Sequence, residues 1–213
     1  MKFKPECKSC PRLSRFLKEV KKQHPDYFAK PVPPFGDAKA RLLIVGLAPG
    51  MHGANRSGRP FTGDHAGIIL YETLHEFGFS TAPASLAADD SLRLIDCRIT
   101  NAVKCLPPDN KPVGAEINAC NRFLANEIAD LPAASLVLAL GGIAHRAVVK
   151  SVGARQADVK FSHAAEHDID GRFTLLDSYH CSRYNTNTGR LTEGMFHDVF
   201  AGVRSRLETS DAP

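Results

Sequence analysis

The sequence contains no run of about 18 apolar residues, the length that a helix needs to cross a membrane. Its N-terminus is basic but lacks the apolar stretch of a secretory signal. We therefore expect a cytoplasmic protein with no membrane partner. Structural disulfides are rare in that compartment, so the six cysteines of the chain need another explanation.

The chain also lacks internal repeats, and its composition is that of an ordinary globular protein. Its 213 residues, of which 43% are hydrophobic and 23% charged, can bury a sizeable core. We expect a single domain over residues 1–213 and, because nothing indicates an obligate oligomer, a monomer.

Four short aliphatic or β-branched runs predict buried strands, at residues 41–47, 97–103, 135–140 and 172–179. Four helical patterns alternate with them, at residues 66–77, 112–128, 143–152 and 192–207. Strands that alternate with helices predict an α/β fold, with a mainly parallel four-stranded sheet covered by helices on both faces.

The first 40 residues form a basic arm. Residues 2–22 contain eight lysines and arginines but only two glutamates. This charge suits a polyanionic partner, and the alternative is a helix with a solvated basic face. Residues 23–40, rich in proline and lysine, look like an ordered surface connection, and we expect the tail at residues 208–213 to be disordered.

Four of the cysteines are candidates for a shared site. Cys7 and Cys10 form a Cys-x-x-Cys pair, and Cys105 and Cys120 lie far along the chain with fourteen residues between them. Four thiolates can bind a tetrahedral metal ion or an iron–sulfur cluster, and their spacing does not separate zinc from [4Fe-4S]. The alternatives are a redox pair or buried small hydrophobic residues, and Cys97, inside a predicted strand, is assigned to the core.

Two polar loops follow predicted strands. Residues 46–64 form a glycine-rich loop after the apolar run at 42–45, and a second polar run covers residues 180–190. Open α/β proteins bind their ligands at the carboxyl ends of their strands, so the two loops together predict a site. No Gly-Lys-[Ser/Thr] closes the first loop and no Gly-x-Gly-x-x-Gly is present, which speaks against the alternative of a nucleotide-binding phosphohydrolase.

These segments together resemble the uracil-DNA glycosylase superfamily, and most closely its iron–sulfur family 5. The most specific motifs are Gly-Leu-Ala-Pro-Gly with His-Gly-Ala-Asn-Arg, then Gly-Arg-Pro-Phe-Thr-Gly-Asp, and Asn-Thr-Asn-Thr-Gly-Arg-Leu-Thr. The resemblance spans residues 7–192. It implies a three-layer α/β/α sandwich and a [4Fe-4S] cluster, with zinc as the less favoured occupant, held by Cys7, Cys10, Cys105 and Cys120.

The resemblance also implies an activity. Enzymes of this family hydrolyse the bond between a deaminated base, such as uracil or hypoxanthine, and deoxyribose, as monofunctional glycosylases of base excision repair. The partner would be double-stranded DNA, and also single-stranded DNA, that contains such bases. The alternative is a catalytically silent DNA-binding module with the same fold.

A base-binding pocket is implied around the first loop. An enzyme that acts on a base in a duplex must extrude it into a pocket. Phe61 would stack on the extruded base, and the amide of Asn101 would offer its edge one donor and one acceptor. Backbone groups of Gly46, Ala48 and Gly50 would complete the contacts.

Two residues are the candidates for catalysis. His180 would donate a hydrogen bond to the base oxygen as negative charge develops there. Relatives usually carry Asp or Asn early in the first loop to position water, whereas here no acid or amide precedes Asn55, which marks family 5. We assign that role to Asp64, with His52 and Asn55 as the substitutes. The alternative is that Asp64 only caps a helix.

The remaining candidates would contact DNA. From the first loop these are His52, Asn55 and Arg56, and from the second Arg183, Tyr184, Asn185 and Arg190, with Tyr184 as a wedge. The chain departs from the family pattern at Cys181, where we expect proline, and at Tyr184, where glutamine is common. We therefore expect a more mobile loop and an exposed, oxidation-prone thiol at Cys181.

Overall fold

The computed structural model describes residues 3–209 of the chain. Its centre is a six-stranded sheet in the order β1-β3-β2-β4-β6-β5. The strands are β1 (Phe35–Gly36), β2 (Leu42–Gly46), β3 (Cys97–Asn101), β4 (Ser135–Leu140), β5 (Glu166–Ile169) and β6 (Phe173–Ser178). The predicted α/β class is confirmed, and the four predicted strands form the parallel centre β3-β2-β4-β6.

The sheet has two more strands than the four predicted. β1 and β5 pair antiparallel at opposite edges. β1 is only two residues long, and three of the four residues of β5 are at least partly exposed, so neither produces an apolar run in the sequence. In contrast, every residue of β2 and β4 is buried.

Seven helices accompany the sheet in the described part of the chain. They are α1 (Pro11–Gln23), α2 (Ala54–Ser57), α3 (His65–Glu76), α4 (Gly114–Ala129), α5 (Gly142–Ser151), α6 (Arg183–Asn187) and α7 (Glu193–Thr209). The four predicted helices are confirmed as α3, α4, α5 and α7, with ends that differ by one or two residues. None of the seven is both long and apolar enough to cross a membrane.

Alternate residues of the central strands face two different helical layers, because successive side chains of a strand point to opposite sides. Leu42 and Ile44 of β2 pack in one core with α3 and α7. Leu43 and Val45 pack in a second core with α4 and α5. The predicted three-layer α/β/α arrangement is thereby confirmed.

The basic arm contains α1, whose solvated face carries the charge. Leu13, Leu17 and Val20 are buried in a third core, against Val103 and Phe123, while the lysines of the helix are exposed. The arm is thus docked on the core as a helix with a solvated basic face.

The C-terminal tail is shorter than predicted. α7 continues to Thr209, so residues 208 and 209 are helical rather than disordered. Residues 210–213 of the predicted tail lie outside the described residues.

Candidate active site

The carboxyl ends of β2, β3 and β6 meet at one edge of the sheet because the three strands are parallel. Gly46, the last residue of β2, pairs with Asn101, the last residue of β3. His180 follows β6 by two residues. At this edge lies a cavity of about 560 Å³. Six of the predicted catalytic or base-binding residues line it: Ala48, Gly50, Phe61, Asp64, Asn101 and His180.

Gly46 lies directly against the cavity residues Asn101 and Phe61. A Cβ atom on Gly46 would lie 2.5 Å from Asn101 Oδ1 and 2.7 Å from Phe61 Cζ, both closer than real Cβ contacts. The absence of a side chain at residue 46 therefore allows the ring and the amide to pack over the end of β2.

The backbone holds Phe61 in an unusual conformation. Its φ is 54°, in the left-handed region that residues with a side chain rarely adopt. The preceding carbonyl, of Pro60, accepts a hydrogen bond of 2.9 Å from the hydroxyl of the buried Tyr71. A Cβ atom on Gly67 would collide with the Phe61 carbonyl. The surrounding packing thus fixes a strained residue and its ring at the cavity wall, as is common at functional sites.

Arg59 anchors the same loop from behind. Its buried guanidinium donates to Ser85 Oγ at 2.9 Å and to the Ala88 carbonyl at 2.6 Å, and pairs with Asp90 at 2.5 Å. Arg59 also lies 4.3 Å above the ring of Phe35. The arginine of the Gly-Arg-Pro-Phe-Thr-Gly-Asp motif is therefore a support for the loop.

Asn101 presents an unsatisfied acceptor. The residue is 3% exposed, and its Oδ1 is buried without a hydrogen-bond partner among the described residues. Such an atom costs about 1–3 kcal/mol when nothing binds it, which is a reason to expect a ligand donor at this point of the cavity.

His180 is a neutral imidazole beside Phe61. The two rings stack with their centroids 6.0 Å apart and their planes 28° from parallel. Burial lowers the pKa of His180 to about 4, and its Nδ1 has no partner among the described residues. The carbonyl of His180 accepts a hydrogen bond of 2.8 Å from the amide of Asn185. At neutral pH the side chain can therefore donate a hydrogen bond without carrying a charge.

The structure confirms that Asp64 caps a helix, and its catalytic role stays a prediction. Its Oδ1 accepts a hydrogen bond of 2.9 Å from the backbone N–H of Gly67, which makes it the N-cap of α3. Its other oxygen faces the glycine loop, since a Cβ atom on Gly53 would collide with Oδ2. Burial raises the pKa of Asp64, although the Gly67 hydrogen bond acts in the opposite direction. One carboxylate oxygen thus caps the helix, and the other faces the glycine loop at the cavity.

The predicted DNA-contacting residues fall into groups. Arg183 and Arg190 line the cavity and are exposed, with Arg190 lying 4.6 Å above the ring of Tyr179. Tyr184 is 73% exposed on α6. Asn185 also lines the cavity, but its amide nitrogen donates a hydrogen bond to the His180 carbonyl. From the first loop, His52 and Arg56 are exposed.

Two predictions about side-chain exposure are wrong. Asn55 cannot contact DNA, because it is fully buried and its amide nitrogen donates to the Met51 carbonyl at 3.5 Å. Cys181 is not an exposed thiol: it is fully buried in the core with α3, and its Sγ donates to the Ala66 carbonyl at 3.4 Å. Burial raises the pKa of Cys181, which keeps it protonated. Cys97 is buried, as predicted.

One part of the cavity wall had little signal in the sequence. Gly142, Phe161 and Tyr179 line it. The Gly141-Gly142 pair was interpretable as the start of a helix after β4. Phe161 lies in an irregular segment between α5 and β5, where no periodic pattern marks a buried side chain.

The four predicted metal-ligating cysteines come together beyond the carboxyl end of β3, in the core beneath α1. Cys105 and Cys120 are buried, and Cys7 and Cys10 pack against them half-buried. Burial raises the pKa of Cys105, and the nearby thiols of Cys120, Cys10 and Cys7 raise it further. The backbone N–H of Lys104 donates to Cys120 Sγ at 3.3 Å.

The charge state of His180 is open to a direct test. In an NMR titration of histidine-labelled protein, with His180→Gln to assign the signal, we expect His180 to stay neutral until about pH 4. In the unfolded chain the imidazole has its ordinary pKa of 6.5, so between pH 6.5 and 4 the unfolded chain binds a proton that the folded chain does not. The stability that the neutral His180 contributes is therefore fully present above pH 6.5 and is lost as the pH falls towards 4. A protonation step near 6.5 in the folded protein would contradict the assignment.

Comparison with known proteins places this geometry in a family. A family model described as the uracil DNA glycosylase superfamily matches residues 33–204. A type-5 uracil-DNA glycosylase of Thermus thermophilus is 48% identical over 91% of this chain and 90% of its own length. Relatives of the same name from Pyrobaculum aerophilum, 43% identical over 87% and 82%, and Mycobacterium bovis, 41% over 91% and 75%, are also similar. The chain belongs to the uracil-DNA glycosylase superfamily and, within it, to the type-5 family.

Proposed function

We propose that the protein is a monofunctional DNA glycosylase of base excision repair. It removes uracil, and also hypoxanthine or other deaminated bases, by hydrolysing the N-glycosidic bond and leaving an abasic site. The observation that carries the proposal is the meeting of an aromatic ring, an unpaired amide, a neutral imidazole and a carboxylate in one cavity. The names of the type-5 relatives support it.

Base recognition is assigned to Phe61 and Asn101, which pack over the end of β2. A base extruded from the duplex stacks on Phe61, which contributes about 1–3 kcal/mol. The amide of Asn101 hydrogen-bonds the base edge and so satisfies its buried oxygen. Cytosine carries an amino group where uracil carries a carbonyl, so a fixed amide can discriminate between them.

Catalysis divides between the leaving base and the sugar. Cleavage leaves negative charge on the base, and the neutral His180 stabilises it by donating a hydrogen bond to a base oxygen. Positive charge develops on the sugar, and the free oxygen of Asp64 orients the attacking water and stabilises that charge. The half-buried position of Asp64, next to the glycine loop, keeps this oxygen close to the cavity.

DNA binding involves the exposed side chains around the cavity. Arg183 and Arg190 contact phosphates, and Tyr184 fills the gap left by the extruded base. The substrate is double-stranded DNA with a deaminated base, and single-stranded DNA of the same kind. We infer that the chain works as one domain and as a monomer, in the cytoplasm on nucleoid DNA.

The four cysteines fit an iron–sulfur cluster better than a single zinc ion. Zinc with Zn–S bonds of about 2.3 Å brings its sulfurs to about 3.8 Å from one another. Among residues 3–209, the only three His, Cys, Asp or Glu side chains with ligand atoms all within 4.8 Å of one another are His145, His167 and Asp177. No three of the cysteine sulfurs are therefore as close as a zinc ion requires.

The surroundings of the cysteines also suit an anionic cluster. Lys104 is buried and ion-paired to Glu127 at 2.8 Å. Burial raises the pKa of Cys120, and the backbone N–H and the charge of Lys104 oppose that rise. The Lys104 N–H bond to Cys120 Sγ is of the kind that stabilises cluster sulfurs. A [4Fe-4S] cluster bound by Cys7, Cys10, Cys105 and Cys120 supplies a cross-link between α1, the end of β3 and α4. Base hydrolysis requires no electron transfer, so the proposed role is structural.

Replacing Asp64 separates its chemical role from its capping role. Asparagine is as good an N-cap as aspartate, so Asp64→Asn should keep the free energy of unfolding while base release falls by about 100-fold or more. Asp64→Ala should lose activity and also about 1 kcal/mol of stability. Release of free base from duplexes with uracil opposite guanine or adenine is measured at saturating DNA.

The pH dependence of base release completes this test. Because burial raises the pKa of Asp64 above 3.8, wild-type activity should fall at a higher pH than an ordinary carboxylate would give, as the carboxylate is protonated. The residual activity of Asp64→Asn should lack this decline. If the turnover of Asp64→Asn were close to that of wild type, Asp64 would have no catalytic role and would only cap α3. A wild type that binds abasic DNA but releases no base from any substrate would contradict the proposed activity.

Substitution of Gly46 tests the base pocket. In Gly46→Ala, the new methyl group would lie 2.5 Å from Asn101 Oδ1 and displace the ring or the amide. We expect kcat/KM for uracil release to fall by about 100-fold, as a displacement of about 1 Å can cause. Gly202→Ala on α7 is the control, because its Cβ would meet no atom within 4 Å and it lies outside the cavity. Equal activity of the two variants would place the base elsewhere.

Removal of a cysteine ligand tests the cluster. Protein purified without oxygen should contain iron and sulfide, and Cys105→Ser should lose both and expose α1 to proteolysis while the sheet stays folded. Cys97→Ala, which changes a buried cysteine outside the site, should keep its iron. One zinc per chain in place of iron, or full iron in Cys105→Ser, would contradict the assignment.

A further inference from the structure

A buried group of charged side chains lies behind the cavity wall. Asp177 on β6 is fully buried, and its Oδ1 lies 2.8 Å from His145 Nδ1 on α5. His167 Nε2 on β5 lies 3.4 Å from Asp177 Oδ2, and neither of those two atoms has a hydrogen-bond partner among the described residues. None of these side chains has a role in the proposed chemistry.

The contacts of His145 determine its protonation. Its Nδ1 faces the carboxylate of Asp177, and its Nε2 faces the Val159 carbonyl at 2.9 Å. Both partners are acceptors, so both ring nitrogens must donate and the ring is an imidazolium. Burial opposes this charge, but the hydrogen bonds to Asp177 and Val159 outweigh it, and the pKa of His145 is raised. His145 therefore forms a buried ion pair with Asp177 and holds a loop carbonyl with its other nitrogen.

The loop that His145 holds is part of the cavity wall. Two residues beyond Val159, the ring of Phe161 packs edge-on against the His145 ring, with centroids 5.6 Å apart. Phe161 also lies 6.1 Å from the ring of Tyr179, and both aromatic residues line the cavity that contains Phe61 and Asn101. Phe161 is therefore part of the wall that bounds the cavity.

We propose that His145, oriented by Asp177, is a positioning residue that holds the wall at residues 159–161 and thereby sets the size of base that the cavity accepts. The proposal rests on the proposed glycosylase function. It concerns selection between a one-ring base such as uracil and a two-ring base such as hypoxanthine. When the hydrogen bond from His145 to the Val159 carbonyl is lost, the wall moves outward. Uracil then loses contact with the wall, and a larger base gains room.

Two substitutions of His145 separate its two hydrogen bonds. The side-chain NH2 of glutamine lies where the histidine Nε2 lies, so His145→Gln keeps a donor to Val159. The NH2 of asparagine lies where Nδ1 lies, so His145→Asn keeps a donor to Asp177 and loses the tie to the wall. Both variants are neutral and smaller than histidine, which makes each a control for the other.

Kinetics on duplexes with uracil or hypoxanthine measure the expected difference. In His145→Asn, KM for uracil-containing DNA should rise with little change in kcat. The ratio of kcat/KM for hypoxanthine to that for uracil should rise by about tenfold, the size expected for loss of a charged hydrogen bond. His145→Gln should keep the wild-type ratio. Its free energy of unfolding should nevertheless fall further than that of His145→Asn, because Asp177 is left unpaired.

Three outcomes would overturn the proposal. One is an unchanged hypoxanthine-to-uracil ratio in His145→Asn. A second is a larger change of this ratio in His145→Gln than in His145→Asn, which would mean that the ratio follows the loss in free energy of unfolding. The third is stoichiometric zinc in wild type that is absent from His145→Asn. A metal ion would then lie between His145 and Asp177, where the proposal has a proton on Nδ1.

Hydrogen–deuterium exchange separates this proposal from the proposed function. Amides of residues 159–163 should exchange faster in His145→Asn than in wild type, whether or not base release is detected. Unchanged exchange there would overturn the positioning role by itself. A wild type that releases no base would instead contradict the glycosylase function.

Discussion

The parallel pairing of β2 with β3 is the contact on which the rest of the site depends. It places Gly46 beside Asn101 at the carboxyl edge of the sheet, and the missing side chain at residue 46 lets the amide and the ring of Phe61 pack over the strand end. A slip of one residue in this register would turn Asn101 towards a helical layer, because strand side chains alternate between faces. The register therefore determines whether Asn101 can take part in the proposed base-recognition site.

Desolvation gives the cavity its chemical character. Burial keeps the imidazole of His180 neutral, raises the pKa of Asp64 and leaves the oxygen of Asn101 without a partner among residues 3–209. Each of these costs folding free energy, and in the proposed function a bound base recovers part of it by supplying donors and acceptors. The strained backbone of Phe61 belongs to the same pattern, since the buried supports at Arg59 and Tyr71 hold it in place.

The N-terminal helix and the cysteines form a second structural unit at the side of the sheet. Arg12 of α1 makes two hydrogen bonds of 2.8 Å to Glu116 of α4, one turn before Cys120. This ion pair and the apolar face of α1 bring Cys7 and Cys10 to Cys105 and Cys120. β3 connects the two units, because Asn101 ends the strand and Cys105 follows four residues later. A cluster at the cysteines would therefore stabilise the segment that presents the amide of Asn101 to the cavity.

The parallel centre of the sheet and the four long helices could be predicted from the sequence, because buried strands are continuous apolar runs and the helices are periodic. Residues that follow parallel strands meet at one edge, which predicted a site there. The choice of Phe61, Asp64, Asn101 and His180 within it depended on the resemblance to the uracil-DNA glycosylase superfamily. The edge strands β1 and β5, the burial of Asn55 and Cys181, and the wall at Phe161 became known only from the folded chain. Those features depend on contacts between segments far apart in the chain, such as Cys181 with Ala66 and His145 with Val159 and Asp177. Local periodicity records which side of a helix or strand is apolar, but the burial of a loop residue is decided by the elements that pack over it.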